Sequence, residues 1–286
     1  MADRKITRVL FQLLLLTSTL FLAQNLNCNV QAETKDPLVS VKTLPSVNLS
    51  LVFKELDLTG STIIYDAKND RVYEHNPDRN IKAVSPASTF KIFNALVALE
   101  IATIADDVSV LTWDGTKRGL SNGTELPGWN RDTNLRQAFK DSTVWFYQVL
   151  ARKTGRDRMQ QFLNQSNYGN HLIGSQIDQF WLDGSLKITP RQQIEFLRKL
   201  DREELPFSKR TLALVKDIMI LEKTPGHTLR GKTGWNFETN LGWFVGYLEQ
   251  NDRTYFFATT IDMTDSKSGP KRIEVTRRCL KKLGLL

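Results

Sequence analysis

The sequence predicts a mixed α/β fold of the α+β type, in which an antiparallel sheet is flanked by N- and C-terminal helices and carries an inserted all-helical subdomain. Two observations predict it. Strand-like apolar patterns lie near both ends of the chain, whereas helical periodicity dominates an intervening stretch of about residues 112–205. A sheet assembled from both ends would enclose this helical insert. A site between the two parts would therefore draw residues from all three regions.

The first strands are predicted at Ser61 to Tyr65 and Arg71 to Glu74, joined by a polar turn. The segment from Thr89 to Ile104 follows and is apolar nearly all round, which is typical of a buried helix. Trp113 to Trp129 is rich in Gly, Asn and Trp and is predicted to be a loop.

The middle of the chain is predicted to form four helices: Leu135–Lys153, Arg156–Asn164, one that starts at Thr189, and Ser208–Leu221. The third has the clearest start signal, because Pro190 falls at the first helical position. Gln192 then completes a capping box with Thr189.

The last third of the chain changes to strand periodicity. Three segments, Thr228 to Gly234, Gly242 to Glu249 and Thr254 to Asp262, predict an antiparallel meander. Ile273 to Leu283 is predicted to close the chain as a helix with one apolar face.

Residues 1–32 are predicted to be a signal peptide. Three basic residues among the first eight precede Val9 to Ala23, an apolar run that is shorter than the ~20 residues of a membrane span. The small residue Ala32 gives the preferred cleavage site. A lipoprotein signal that ends at Cys28 and an uncleaved anchor are the alternatives.

Cleavage would leave one exported domain, residues 33–286, located in the periplasm or secreted, with no stable membrane span. Its single cysteine, Cys279, cannot form an internal disulfide. The sequence leaves its oligomeric state open.

The composition, 41% hydrophobic and 24% charged, is that of a folded globular protein and excludes collagen-like and disordered classes. The net charge of +8 could attract nucleic acid, an anionic membrane surface or an anionic small substrate. The basic residues near the C-terminus flank an apolar helix face, so we read them as solvated surface and expect no nucleic-acid partner. The three histidines show no zinc-ligand spacing, and we expect no metal.

Two motifs could carry nucleophilic chemistry. In Ser88-Thr89-Phe90-Lys91 the serine and lysine share one helix face, and a desolvated lysine can act as the base that a serine nucleophile needs. Lys232-Thr233-Gly234 lies on a predicted strand, where Gly allows close approach of a ligand. Each is weak alone, since Ser268 and Lys271 repeat the first spacing in a loop and Lys153-Thr154-Gly155 repeats the second.

The order of the motifs is more specific than any single motif. Ser-x-x-Lys opens a buried helix, Ser142-Thr143-Val144 lies inside the helical region, and Lys-Thr-Gly lies on a late strand. This order resembles the penicillin-recognising serine enzymes. The Ser-Thr-Val motif in place of Ser-x-Asn resembles the class D β-lactamases. Further segments agree: Tyr168-Gly169-Asn170, Phe180 to Gly184, and Arg272 after Ser268-Gly269-Pro270-Lys271.

The resemblance implies a β-lactamase/transpeptidase-like fold and hydrolysis of the β-lactam amide of penicillin-type antibiotics through a Ser88 acyl-enzyme. It implies that Lys91 is carboxylated by CO2 and is the general base, and that Trp181 donates its indole N–H to the carbamate. No other cofactor is expected. Ser142 would relay a proton to the lactam nitrogen, helped by Lys232.

The resemblance also implies the binding groups. The backbone N–H groups of Ser88 and Trp235 would form the oxyanion hole. Thr233 and Arg272 would hold the substrate carboxylate. The remaining residues of the predicted site are the apolar walls Val144 and Leu182, together with Tyr168 and Asn170, which shape its edge. The hairpin loop Asn236 to Leu241 is also expected to border the site.

Two alternative functions involve acylation without efficient turnover. A penicillin-binding sensor would carry several membrane spans ahead of the domain, whereas this sequence has one short apolar segment. A peptidoglycan transpeptidase would be expected to keep Ser-x-Asn, and Val144 replaces that Asn.

Overall fold

The computed structural model describes residues 42–43, 47–119, 124–263 and 265–286. Its strands, in chain order, are β1 (Lys42–Thr43), β2 (Gly60–Asp66), β3 (Arg71–His75), β4 (Val110–Leu111), β5 (Thr133–Asn134), β6 (Ile220–Lys223), β7 (Thr228–Asn236), β8 (Leu241–Gln250) and β9 (Arg253–Asp262). Seven of them form one sheet in the order β1-β3-β2-β9-β8-β7-β6. All neighbours in this sheet are antiparallel except β1 and β3. The N-terminal strand β2 thus pairs with the late strand β9, as the sequence predicts.

The α-helices of the described residues are α1 (Ser50–Glu55), α2 (Pro77–Asn80), α3 (Lys91–Glu100), α4 (Leu135–Lys140), α5 (Val144–Thr154), α6 (Arg156–Ser166), α7 (Pro190–Asp201), α8 (Lys209–Ile218) and α9 (Lys271–Lys282). The described residues also form three short 3-10 helices: Ala87–Phe90, Pro127–Trp129 and Ser266–Ser268. None of the helices in these ranges is long and apolar enough to cross a bilayer.

The sheet separates two hydrophobic cores, because successive side chains of a strand point to opposite faces. On one face, Ile64 of β2 packs in a cluster with Phe53 of α1 and Leu280 of α9. On the other face, Ile63 belongs to the cluster that contains Leu96 of α3. This second core also contains residues of α5 and α7, so the helical region packs onto the face of the sheet opposite to the terminal helices.

The predicted fold class is confirmed, and several predicted elements are found nearly at their predicted bounds. The start of α7 matches in detail: the Thr189 side chain accepts from the Gln192 N–H, the Gln192 side chain accepts from the Thr189 N–H, and Pro190 is the first helical residue. The meander strands β7, β8 and β9 differ from prediction by one or two residues at their ends. The predicted signal peptide lies outside the described residues.

Three helix predictions are wrong in their bounds. The predicted Leu135–Lys153 helix is two helices, α4 and α5, separated by Asp141–Thr143. The helix predicted to reach Leu221 ends at Ile218, because Ile220–Lys223 pairs with β7 as the edge strand β6. The predicted Thr89–Ile104 helix begins as a 3-10 helix and ends at Glu100.

A buried ion pair ties α7 to the sheet, and its removal should destabilise the fold. Arg191 Nη2 donates to both carboxylate oxygens of Glu74 at 3.0 and 3.1 Å, and both side chains are largely buried. We expect Glu74→Ala to lower the free energy of unfolding by about 3 kcal/mol, because Arg191 would lose its buried carboxylate partner. Urea denaturation would measure the loss.

The exposed pair between Glu274 and Arg278 on α9 supplies the matched control. Glu274→Ala should cost less than about 1 kcal/mol, since exposed ion pairs contribute little. Equal losses in the Glu74 and Glu274 variants would contradict the expected dependence on burial.

Candidate active site

Ser88 and Lys91 form a hydrogen-bonded pair at the start of α3. The 3-10 turn Ala87–Phe90 runs directly into the helix, and Lys91 Nζ donates to Ser88 Oγ at 2.7 Å. Lys91 is only 1% exposed, and this burial lowers the pKa of its amine to about 7. A substantial fraction of the amine is therefore neutral near pH 7, as a base or a nucleophile must be.

The backbone around this pair is conformationally unusual. Ala87 has a φ of 47°, in the left-handed region that residues with a Cβ seldom occupy. Thr89 closes the turn, since both its N–H and its hydroxyl donate to the Pro86 carbonyl, at 3.1 and 2.7 Å. Gln193 of α7 in turn donates to the Thr89 hydroxyl at 2.9 Å. The turn that presents Ser88 is thus held by buried hydrogen bonds within the turn and by one from α7.

Ser142 and Lys232 form a second pair, contributed by the helical region and the sheet. Lys232 Nζ on β7 donates to Ser142 Oγ at 3.0 Å and to its neighbour's carbonyl, Thr233 O, at 2.9 Å. Ser142 was predicted to lie inside a helix. It lies instead in the break between α4 and α5 with a left-handed φ of 57°, and Val144 is the first residue of α5.

The surroundings of Lys232 disfavour the protonated, positively charged form of its amine. Lys232 is 4% exposed, and burial is the largest cause that lowers the pKa of its amine well below the ordinary value. The cationic forms of Lys91 and Arg272 lower it further by repulsion. A negative group between these three side chains would remove that repulsion.

Strand β7 passes very close to the Ser88 turn, and Gly234 allows this approach. A Cβ at Gly234 would lie 3.1 Å from Pro86 O and 3.3 Å from the Ser88 amide nitrogen. The N–H of Gly231 donates to Met219, on the side of β7 away from β8. Because backbone groups alternate along a strand, the N–H of Trp235 faces the same side. Trp235 and Ser88 both line the cavity described below.

Arg272 lies in the first turn of α9 and reaches the same strand. Its Nη1 donates to Gly234 O at 2.6 Å. Burial lowers the pKa of its guanidinium to about 10, so the group stays charged at neutral pH. Arg272 and Thr233 therefore place a cation and a hydroxyl-bearing side chain along one wall of the cavity.

Trp181 is fully buried against the Ser88 turn. Its ring stacks on Phe90 with 5.2 Å between ring centroids and meets Phe180 edge to face at 5.1 Å. The indole Nε1 is buried and has no acceptor among the described residues. A buried donor of this kind is costly unless an acceptor is added. Trp181 is thus placed to receive such an acceptor.

Tyr168 and Asn170 make contacts of a structural kind. The Tyr168 ring packs against Phe93 at 4.9 Å between centroids. Asn170 Nδ2 donates to Ser185 O at 2.9 Å, and its Oδ1 accepts from the Lys187 N–H at 3.0 Å.

A cavity of about 640 Å³ opens above these pairs. Seven predicted site residues line it: Ser88, Ser142, Val144, Leu182, Thr233, Trp235 and Arg272. Lys91, Lys232 and Trp181 do not line it and are buried. The structure thus brings these ten predicted positions to one region, and their roles stay predictions, whereas Tyr168 and Asn170 do not line the cavity. Within the described residues, no group of three or more His, Cys, Asp or Glu side chains could hold a metal ion.

Several lining residues were not predicted to belong to the site. They are Arg118, Leu126, Trp129, Asp141, Gln179 and Asp183. Phe237 and Glu238 also line the cavity, and they lie in the hairpin loop Asn236 to Leu241 that the sequence predicts at the border of the site. Arg118, Leu126 and Trp129 lie in the predicted loop Trp113 to Trp129, and its tryptophans could have indicated a binding surface. An aromatic side chain in a polar loop often belongs to a binding surface.

The close packing at Gly234 leads to a prediction. Gly234→Ala should slow acylation by about tenfold, because the new methyl group would displace the backbone of the Ser88 turn by a few tenths of an ångström. Stopped-flow measurement of the acylation rate would test this. Gly226→Ala is the control, since a Cβ there meets only Thr224 Oγ1 at 3.9 Å. Unchanged acylation in the Gly234 variant would contradict the argument.

Comparison with known proteins identifies the family. Residues 60–281 match the family model described as the penicillin binding protein transpeptidase domain. The chain is 41% identical over 241 residues to the probable β-lactamase YbxI of Bacillus subtilis, covering 84% of this chain and 86% of that protein. A solved class D β-lactamase structure, YbXI from Nostoc, superposes with a TM-score of 0.80 at 60% identity, covering 84% of this chain and 100% of the other.

The fold and the match define a member of the penicillin-binding transpeptidase family. Within it, the chain belongs to the class D β-lactamases, which are serine hydrolases. The regulatory protein BlaR1 of Bacillus licheniformis is also related, at 34% identity, and the match covers 85% of this chain but only 40% of that protein. The sensor alternative is therefore less well supported than the enzyme.

Proposed function

We propose that this protein hydrolyses the β-lactam amide of penicillin-type antibiotics through a Ser88 acyl-enzyme, with carboxylated Lys91 as the general base. The observation that carries the proposal is the Lys91–Ser88 hydrogen bond of 2.7 Å at an almost fully buried amine whose pKa is lowered to about 7. A serine hydroxyl is a weak nucleophile unless a base is adjacent to it.

The residues present fit carboxylation of Lys91. A neutral amine is required for attack on CO2, and burial supplies it. The Nζ–C bond forms as the amine loses a proton, and the new group carries one negative charge. Trp181 Nε1 offers a buried donor without an acceptor, and Lys232 offers a nearby buried amine whose protonated form a negative group would stabilise. The carboxylated side chain supplies a carboxylate-type base that a lysine alone does not.

Acylation would use two hydroxyl groups: that of Ser88 as the nucleophile and that of Ser142 as the proton donor to the leaving nitrogen. The Ser88 Oγ–H proton passes to carboxylated Lys91 while Oγ forms a bond to the lactam carbonyl carbon. The backbone N–H groups of Ser88 and Trp235 stabilise the oxyanion, and one such donor contributes roughly 3 kcal/mol. The C–N bond of the lactam breaks, and Ser142 gives its proton to the nitrogen and regains one from Lys232, its 3.0 Å neighbour.

Deacylation uses the same base for water. Acylation leaves the Ser88 proton on carboxylated Lys91 and leaves Lys232 one proton short, so return of that proton to Lys232 restores the base. Carboxylated Lys91 then takes a proton from a water molecule as the water oxygen attacks the ester carbon, and this proton passes to Ser88 Oγ as its bond to the acyl carbon breaks. Val144 and Leu182, which line the cavity, limit how water reaches this base. Repulsion from the Lys91 cation would change to attraction on carboxylation, which would raise the pKa of Lys232 and favour its cationic form.

Substrate binding depends on a carboxylate. Thr233 and Arg272 line the cavity beside Ser88, and the Arg272 guanidinium remains charged at neutral pH. An arginine can bind a carboxylate through two parallel N–H groups. We therefore propose an anionic β-lactam as the substrate, whose carboxylate directs the lactam carbonyl to Ser88.

Steady-state turnover separates this function from its rivals. The purified protein should hydrolyse a chromogenic cephalosporin and benzylpenicillin over many turnovers, and the product should be the ring-opened acid. A single burst equal to the enzyme concentration, with no steady state, would overturn the hydrolase and favour a sensor or a transpeptidase-like protein.

The lowered pKa of Lys91 predicts a dependence on pH and bicarbonate. The amine is protonated below about pH 7, so carboxylation should weaken as the pH falls through that value and strengthen as it rises. We expect the bicarbonate concentration for half-maximal kcat to rise by about tenfold from pH 7 to pH 6. Assays in degassed buffer with added bicarbonate would measure it. Activity that is indifferent to bicarbonate at both pH values would contradict carboxylation.

We further propose that the protein is exported and that cleavage follows Ala32. Mass spectrometry of the protein from the periplasm or the medium should give a chain that begins at Glu33. A lipidated chain that begins at Cys28 would support the lipoprotein alternative.

A further inference from the structure

Ser85 links the backbone of Trp181 to the turn that carries Ser88. Its side chain is buried, and its Oγ donates to Trp181 O at 2.8 Å. The Ala87 N–H donates to the same carbonyl at 3.0 Å and lies 3.4 Å from Ser85 Oγ. One carbonyl on the Trp181 loop is thus held by two donors from the three residues that precede Ser88.

The Ser85 side of this link is itself held by the sheet. The indole Nε1 of Trp243 on β8 donates to Ser85 O at 3.0 Å, and Trp243 is fully buried. Ala87 completes the link in its left-handed conformation, with a φ of 47°. Strained backbone persists only where its surroundings hold it in place. The hydrogen bonds around Ser85 are a reason why this turn keeps its shape.

We propose that Ser85 is a positioning residue that sets the Trp181 indole against the base, an inference that rests on the proposed carboxylation of Lys91. The indole Nε1 is the buried donor without an acceptor, and its location depends on the Trp181 backbone. Removing the Ser85 hydroxyl leaves the Ala87 N–H on the Trp181 carbonyl. The loop therefore stays attached but loses one of its two donors, and the indole binds the carbamate less well.

The expected effect is on carboxylation rather than on the chemistry that follows it. Ser85→Ala should raise the bicarbonate concentration for half-maximal kcat by about fivefold, as the loss of an aligned hydrogen bond would produce. At saturating bicarbonate, kcat should return to within about twofold of the original protein, because Ser88, Lys91 and Lys232 are unchanged. A residue that acted only on folding would lower activity equally at every bicarbonate concentration.

Ser61→Ala is the matched control. Ser61 is also a buried serine, and its hydroxyl makes one hydrogen bond, to Thr260 Oγ1 at 2.9 Å in the β2–β9 pair. It does not line the cavity. This variant should lose a similar hydrogen bond without any change in the bicarbonate requirement.

The experiment combines bicarbonate titration of kcat with 13C NMR of the protein in 13C-bicarbonate, at a temperature below the melting point of every variant. A carbamate resonance in the original protein with a fivefold weaker bicarbonate affinity in Ser85→Ala supports the inference. The same resonance with an unchanged affinity overturns it, as does an equal shift in Ser61→Ala. Absence of the resonance in the original protein overturns the proposed carboxylation itself. If Ser85→Ala does not fold, Ser85→Cys, with a similar volume and a weaker donor, gives the same readout.

Discussion

Ser88→Ala is expected to abolish covalent labelling by penicillin and to lower kcat by on the order of 10⁴-fold or more, because Ser88 is the hydroxyl that is hydrogen-bonded to the Lys91 base. Lys91 Nζ lies 2.7 Å from Ser88 Oγ, while Ser142 is paired with Lys232 instead. Intact-protein mass spectrometry after incubation with benzylpenicillin would detect the added mass of the acyl group. Steady-state assays would give the loss in kcat.

Ser268→Ala is the control for the motif itself. Ser268 precedes Lys271 with the same spacing as Ser88 precedes Lys91. Its hydroxyl donates to Asp265 at 3.0 Å, as a turn serine does. This variant should still be labelled, whereas persistent labelling of Ser88→Ala would identify another nucleophile.

Lys91→Ala is expected to leave an acyl-enzyme that hydrolyses extremely slowly, with deacylation reduced by on the order of 10³-fold or more, because the water then has no general base. Acylation should slow as well, since Ser88 loses its hydrogen-bond partner. The acylated protein should accumulate to one equivalent in mass spectra and persist after removal of free penicillin. Added bicarbonate should have no effect on this variant.

Lys153→Ala tests whether the loss of deacylation is specific to the lysine at position 91. Lys153 begins the second Lys-Thr-Gly sequence but is exposed on α5. We expect its replacement to leave both acylation and deacylation unchanged. Normal deacylation in Lys91→Ala would show that another group activates water and would refute the base proposed here.

Local sequence signals predicted the elements that depend on local interactions. The start of α7 is such a case, because Thr189, Pro190 and Gln192 satisfy one another's backbone groups within one turn. The meander is another, since its alternating apolar residues must face the two cores.

The break between α4 and α5 was missed because distant residues cause it. The Asp141 carbonyl accepts from the Trp129 indole N–H at 2.9 Å, and the Ser142 hydroxyl accepts from Lys232 Nζ at 3.0 Å. These bonds hold the chain out of the helix, and Ser142 takes a left-handed conformation beside Lys232. The helical periodicity of residues 135–153 contains no information about Lys232, the hydrogen-bond partner of Ser142 that lies 90 residues further along the chain.

The edge strand β6 was missed for the same reason. The residues around Ile220 continue an apolar helical pattern, but β7 offers an unpaired edge, and Ile220–Lys223 pairs with it. Strand formation there depends on the neighbour rather than on the segment itself.

The order and identity of the chemical groups, Ser-x-x-Lys, Ser-Thr-Val and Lys-Thr-Gly, can be read directly from the sequence, and these were sufficient to place the chain among the class D β-lactamases. Which copies of these motifs are buried together depends on how the chain packs in three dimensions. Lys91 and Lys153 are the same residue type, yet only Lys91 is enclosed by the core, which lowers the pKa of its amine to about 7. Desolvation by residues distant in the chain explains this difference between the two lysines, because it arises only once the sheet and the helical region have packed.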